Sequence, residues 1–130
     1  MRMNREKDWL HYSEELLDIA DLLITKGKYS WACFTLQQAT SAALKSILSR
    51  MDESTFGDNL IKLIRIIGQN TNIPADVNKS CHKLNDYFNM TRDLEAISDG
   101  TPLNKYTLAE AQTAKNDTLA VIRFAHHMSH

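Results

Sequence analysis

Glycine and proline are scarce in this chain, with four and two among 130 residues. An all-β domain needs many tight turns, and such turns draw on these two residues. Their scarcity favours helices. Cysteine is equally thin. Cys33 and Cys81 are too few for a disulfide framework, and both fall among apolar neighbours, as reduced packed thiols do. No sign of charge dominates: 15 Lys and Arg stand against 16 Asp and Glu, a net of −1. No whole-protein field therefore draws the chain to nucleic acid or an anionic membrane, and any phosphate site must be a local basic patch. No run approaches the length of a membrane span. The opening Met1-Arg2-Met3-Asn4-Arg5-Glu6 leads into no apolar core of a signal peptide, so a cytoplasmic location is expected. A glycine-rich phosphate loop, a Cys-x-x-Cys pair and a Gly-x-Ser-x-Gly elbow are also missing. No cofactor is expected.

What the chain does have is helical periodicity. With 43% hydrophobic and 24% charged residues it reads as one globular domain over 1–130. The spacing predicts five helices. The first runs from about Glu6 to Lys26, with Trp9, Ser13, Leu16, Ala20 and Leu23 inward and Leu17 and Ile24 widening the stripe. Glu14, Glu15, Asp18 and Asp21 make its outer face acidic, and Gly27 ends it. The second runs from about Tyr29 to Met51 on a stripe of Ala32, Leu36, Ala39, Ala43 and Ile47. Its alanines admit a close neighbour, and so short a connection dictates an antiparallel hairpin. A third helix covers about Asp58 to Gln69 through Leu60, Leu63, Ile64 and Ile67, with Lys62 and Arg65 pointing elsewhere. A fourth is expected from Pro74 to about Leu94 through Val77, Cys81, Leu84, Tyr87 and Phe88. After a loop from Glu95 to Tyr106, Thr107 and Glu110 form a capping-box signature for the last helix. Its inner face is Ala111, Ala114, Thr118, Val121, Ile122 and Ala125. The fold class is thus all-α, an antiparallel four- to five-helix up-and-down bundle.

Side chains with chemistry are few. His126 and His130 lie one helical turn apart, but no third or fourth ligand accompanies them, so no metal site is expected. Histidines near a helix end suit its negative dipole. His11 and His82 belong on helix surfaces or borders. Trp31 and Phe34 lie beside the alanine stripe of the second helix. They widen its apolar surface beyond what one hairpin partner covers, which calls for a third helix or a second subunit. Lys45, Lys62 and Arg65 read as solvated faces.

The first hairpin carries a resemblance. Asp8-Trp9-Leu10, Leu16-Leu17-Asp18-Ile19-Ala20 and Gly27-Lys28-Tyr29-Ser30-Trp31-Ala32-Cys33-Phe34 lead into Gln37-Gln38-Ala39 and Ala43-Leu44-Lys45. This resembles the HEPN domain family (higher eukaryotes and prokaryotes nucleotide-binding). Gly57 to Leu63, Tyr87 to Arg92 and the loop with Gly100-Thr101-Pro102 resemble later family segments. Three departures stand out: Asp58 where the family often has histidine, Ser41 where it often has glutamate, and Thr91-Arg92-Asp93-Leu94-Glu95 in place of Thr-Arg-Tyr-Pro-Asp.

The resemblance implies a helical bundle that dimerises and is often encoded beside a small nucleotidyltransferase. Catalytic relatives are metal-independent ribonucleases that use an arginine and a histidine separated by four to six intervening residues. Histidine moves protons near neutral pH, and arginine holds the scissile phosphate. Arg92 is placed for that role, but Ile97, Ser98 and Asp99 occupy the positions where the histidine would fall. Arg5…His11 and Arg123…His130 meet the formula away from the family's location. The expectation is therefore a homodimeric module without its own catalysis, binding nucleotide or RNA or partnering a nucleotidyltransferase. Its site would use Arg92, Thr91, Asp93, Asp58 and Lys62. The alternatives are a metal-independent ribonuclease of the toxin-component kind and a purely structural homodimeric scaffold. Arg92 has a bland reading too, as a cation near a helix C-terminus paired with Asp86, Asp93 or Glu95.

Overall fold

The structure, a computed structural model, describes residues 5–53, 57–87 and 106–128. Among the described residues five helices follow in order: α1 (Arg5–Thr25), α2 (Tyr29–Arg50), α3 (Leu60–Gly68), α4 (Ala75–Asn85) and α5 (Leu108–Met128). There is no strand among the described residues, so the all-α bundle expected from the sequence is what forms.

The α1–α2 turn shows why a hairpin results. Gly27 adopts φ +74°, a left-handed value that costs glycine little. The Lys28 amide then reaches back to the Leu23 carbonyl at 2.8 Å, which closes the helix end. Along the hairpin, the Ser13 hydroxyl donates to the Ala39 carbonyl at 2.6 Å with both residues buried. Such a bond needs close helix axes, and the small side chains of Ala32, Ala39 and Ala43 permit that approach.

Helix α2 is the centre of the bundle and packs against all four others. The expected stripes of α2, α3 and α5 are all buried. Between α2 and α5 the hydroxyls of Thr40 and Thr118 meet at 3.1 Å, and both reach the Leu36 carbonyl, at 2.8 and 3.3 Å. Two buried hydroxyls are thereby satisfied against backbone, which keeps the desolvation cost of burying them low. Helices α3 and α4 close the far side, where Asn85 Oδ1 accepts the Leu60 amide at 2.8 Å.

Local signals place the ends. Asn59 caps α3 by accepting from the amides of Ile61 and Lys62 at 3.1 and 3.2 Å. The Glu110 amide donates to the Thr107 hydroxyl at 3.1 Å, as the cap signature predicts, while the Glu110 carboxylate takes the Tyr87 hydroxyl at 3.0 Å. Pro74 lies one residue earlier than expected, as the N-cap of α4 rather than in its first turn.

One stripe differs from the reading of the sequence. On α1 the buried residues are Leu10, Ser13 and Ala20, with Leu17 and Ile24 packed on the core. Trp9, Leu16 and Leu23 are only half-buried. The helix is rotated so that its axis of burial points between α2 and α5. Two supposedly outer acids, Glu14 and Asp21, accordingly turn towards α5 and meet His126 at 3.5 Å and Lys115 at 2.7 Å. The expected fourth-helix residues from Phe88 to Leu94, and the loop after them as far as 105, lie outside the described residues.

Candidate functional site

Gln37, Ser41 and Lys45 succeed one another at four-residue steps on α2, so they line one face. That face meets the chain as it enters α3, and Asp58 is the meeting point. The Asp58 carboxylate accepts the Ser41 hydroxyl at 2.6 Å and the Lys45 ammonium at 2.9 Å, both on Oδ1. Its backbone carbonyl accepts the Gln37 side-chain amide at 2.6 Å, and Gln38 donates to Gln37 Oε1 at 2.6 Å. The Lys45 ammonium also lies 5.1 Å from the centre of the Trp9 ring, within cation–π range. This polar clasp ties α1, α2 and the entry to α3 together.

Its charges are partly withdrawn from water: the side chains of Lys45 and Asp58 are 14% and 32% exposed. Burial pushes the Asp58 carboxyl up, but the bonds from Ser41, Lys45 and Gln38 and the Lys45 charge outweigh it and hold it below its ordinary value. Asp58 is therefore a committed anion with its partners in place. Lys45, expected on a solvated face, is instead largely covered, because Asp58 and Trp9 fold over it.

Lys62 stands one turn further on, exposed on α3, with Arg65 beside it on the same helix. Of the expected site residues, Asp58 and Lys62 thus flank the cap of α3. Thr91, Arg92 and Asp93 lie outside the described residues.

A concavity of about 380 Å³ opens between α4 and α5 and is lined by Lys83, Asp86, Tyr87, Glu110, Thr113 and Asp117 among others. Asp117 takes the Lys83 ammonium at 2.9 Å and the Ser80 hydroxyl at 2.9 Å. With three carboxylates around one neutralised lysine, this groove suits no phosphate. Beneath it, the Tyr87 hydroxyl donates to Glu110 at 3.0 Å. Burial first, and then the Glu110 charge, push the Cys33 thiol up to about 12. Cys81 is likewise raised to about 12 by burial and then by Asp117. Both are packed thiols, as the sequence suggested, with little thiolate for nucleophilic or metal chemistry. No cluster of three or more metal-ligating side chains occurs among the described residues.

The sequence reading named Asp58 but not the partners that hold it. The signal was available in the four-residue spacing of Gln37, Ser41 and Lys45. That Asp58 closes onto it across a loop was not.

Comparison with known proteins places this geometry. A family model described as HEPN domain matches residues 6–128. The crystal structure of TT1696 from Thermus thermophilus superposes with a TM-score of 0.89 at 29% identity, covering 97% of this chain and 99% of that one. An archaeal HEPN homologue, ST0689, gives 0.80 at 26% identity over 96% and 98% of the two chains. A HEPN domain protein from Thermotoga maritima gives 0.76 at 25% identity over 93% and 96%. No curated protein matches the sequence.

Proposed function

This chain belongs to the HEPN domain family, and from that premise we propose that it is a homodimeric helical module that binds nucleotide or RNA, or seats a small nucleotidyltransferase, without catalysis of its own. One observation carries the reading: the family match spans nearly the whole chain, yet the positions after Arg92 where the catalytic histidine would fall hold Ile97, Ser98 and Asp99. An RNA-cleaving site of that kind needs a proton carrier near neutral pH. The four described histidines are exposed surface groups: His11 pairs with Glu15 at 3.1 Å, His82 with the Asn78 carbonyl at 2.9 Å and His126 with Glu14, and His127 lies on the surface beside it near the end of α5.

In this reading Arg92, with Thr91 and Asp93 beside it, makes the anion contact, and the exposed Lys62 supplies a second cation. Asp58 acts as a positioning residue, because its bonds to α2 fix the cap from which Lys62 projects.

The test is an RNA assay on purified protein in the presence of chelator, with Arg92→Ala and Lys62→Ala alongside. The expected result is intact RNA and binding weakened by both substitutions, each lowering the salt slope by about one phosphate contact. Cleavage that Arg92→Ala abolishes would overturn the reading in favour of a metal-independent ribonuclease. Absence of affinity for RNA and nucleotides alike would leave the protein-partner role or a structural scaffold.

A further inference from the structure

Helix α1 carries two apolar seams, and the second is only partly covered by the rest of the chain. Leu10, Ser13, Leu17, Ala20 and Ile24 face the bundle. Trp9, Tyr12, Leu16, Ile19 and Leu23 repeat the same alternation of three and four residues one step round the helix. Such spacing is the pattern of a helix that packs lengthwise on another helix. Among the described residues α1 packs only on α2 and α5. The α5 side is marked by Glu14 and Asp21, so the second seam lies on the other flank, beside Trp31 of α2.

Exposure concentrates there. Of five large apolar side chains exposed among the described residues, Tyr12 (50%) and Ile19 (46%) lie on the seam, and Leu22 (67%), on the outward side of α1, and Trp31 (39%) of α2 flank it. Scattered exposed apolar groups need no explanation, but a contiguous row of them marks a docking face.

Charge indicates the occupant. On the α5 flank the charges of α1 are paired within the chain. On the free flank, Asp8 at the start of the seam and Lys26 and Lys28 at its end are exposed, with no ion pair among the described residues. A second copy laid antiparallel along the seam sets Asp8 of each copy beside Lys26 and Lys28 of the other, twice over by symmetry. A parallel copy would set Asp8 against Asp8 and Glu15 against Glu15. We propose that the homodimer forms by antiparallel packing of α1 on α1 across the Trp9–Leu23 seam, with Trp31 at its margin. This rests on the homodimeric reading given above and names its interface.

The experiment is sedimentation of the full chain over a concentration series, for wild type, Ile19→Glu, Asp8→Lys, Lys26→Asp and the Asp8→Lys/Lys26→Asp double variant. Helix content by circular dichroism controls for folding, which the exposure of all three sites should spare. The expected outcome is a wild-type dimer, with a dissociation constant raised at least about tenfold by Ile19→Glu. Each single charge change should weaken it and the double variant should recover it. A wild-type dimer indifferent to Ile19→Glu overturns the interface and leaves the dimer standing. Weakening by both single charge changes without recovery in the double variant overturns the antiparallel arrangement. A monomer at every concentration overturns the interface and the homodimer together.

Discussion

Replacing Asp58 with alanine removes the acceptor on which the clasp converges. Two groups then lose their partner. The Lys45 ammonium, on a side chain only 14% exposed, is left beside Trp9 without a counter-charge. The buried Ser41 hydroxyl loses a 2.6 Å bond. An exposed ion pair contributes less than about 1 kcal/mol, whereas breaking a fully buried one costs about 3–5 kcal/mol. The side chain of Asp58 is 32% exposed and falls between these limits. With an unsatisfied hydroxyl added, the expected loss is about 2 kcal/mol. Urea unfolding followed by circular dichroism reads this as a lower midpoint at unchanged slope. Combining Asp58→Ala with Lys45→Met isolates the pair, and a coupling energy of about 1 kcal/mol is expected.

The same group predicts a pH dependence. Because the folded-state value lies below the ordinary 3.8, the folded chain holds this proton less tightly than the unfolded chain does. The contribution is complete well above that ordinary value and is lost as pH falls through the folded one. The gap between wild type and Asp58→Ala should therefore be constant from about pH 7 to pH 5 and close in stronger acid. Coupling near zero, or a gap that widens in acid, would refute the account of the clasp.

Three further outcomes follow from local structure. Thr107→Ala should cost about 1 kcal/mol, read by thermal or urea unfolding, since it removes the hydroxyl that accepts the Glu110 amide at the start of α5. Gly27 turns the chain at φ +74°, and a Cβ there would meet no neighbour, so Gly27→Ala should cost about 1 kcal/mol in the same assay through backbone strain alone. With both thiols buried and raised to about 12, a disulfide-exchange reagent at mildly alkaline pH should label neither cysteine in the native protein and both in denaturant.

The bundle was legible in the sequence wherever a helix offers one apolar face. On α3 the sequence Leu60-Ile61-Lys62-Leu63-Ile64-Arg65 admits a single orientation, and the structure adopts it. The start of α5 was legible because a threonine cap has local chemistry. On α1, two adjacent stripes of the same period compete. Periodicity alone could not tell which faces the core, and the presence of α5 on one flank decided it. The clasp was illegible for a different reason. Asp58 and Ser41 looked like two separate departures from the family's pattern, yet they are hydrogen-bonded to each other across 17 residues of chain. That pairing across a loop is a fact of three-dimensional placement, which no spacing within the sequence carries.

The position of α5 has a consequence for how the domain comes into being. Its Thr118 settles against Thr40, 78 residues earlier in the chain, and it lies between α1 and α4. The α1–α2 hairpin closes through a turn of a few residues and can assemble as soon as both helices are made, whereas the surface of α2 around Leu36 waits for α5 to arrive. During synthesis that surface stays open until the last of the described helices has emerged. The interval is the period in which the nascent chain is most exposed to wrong partners.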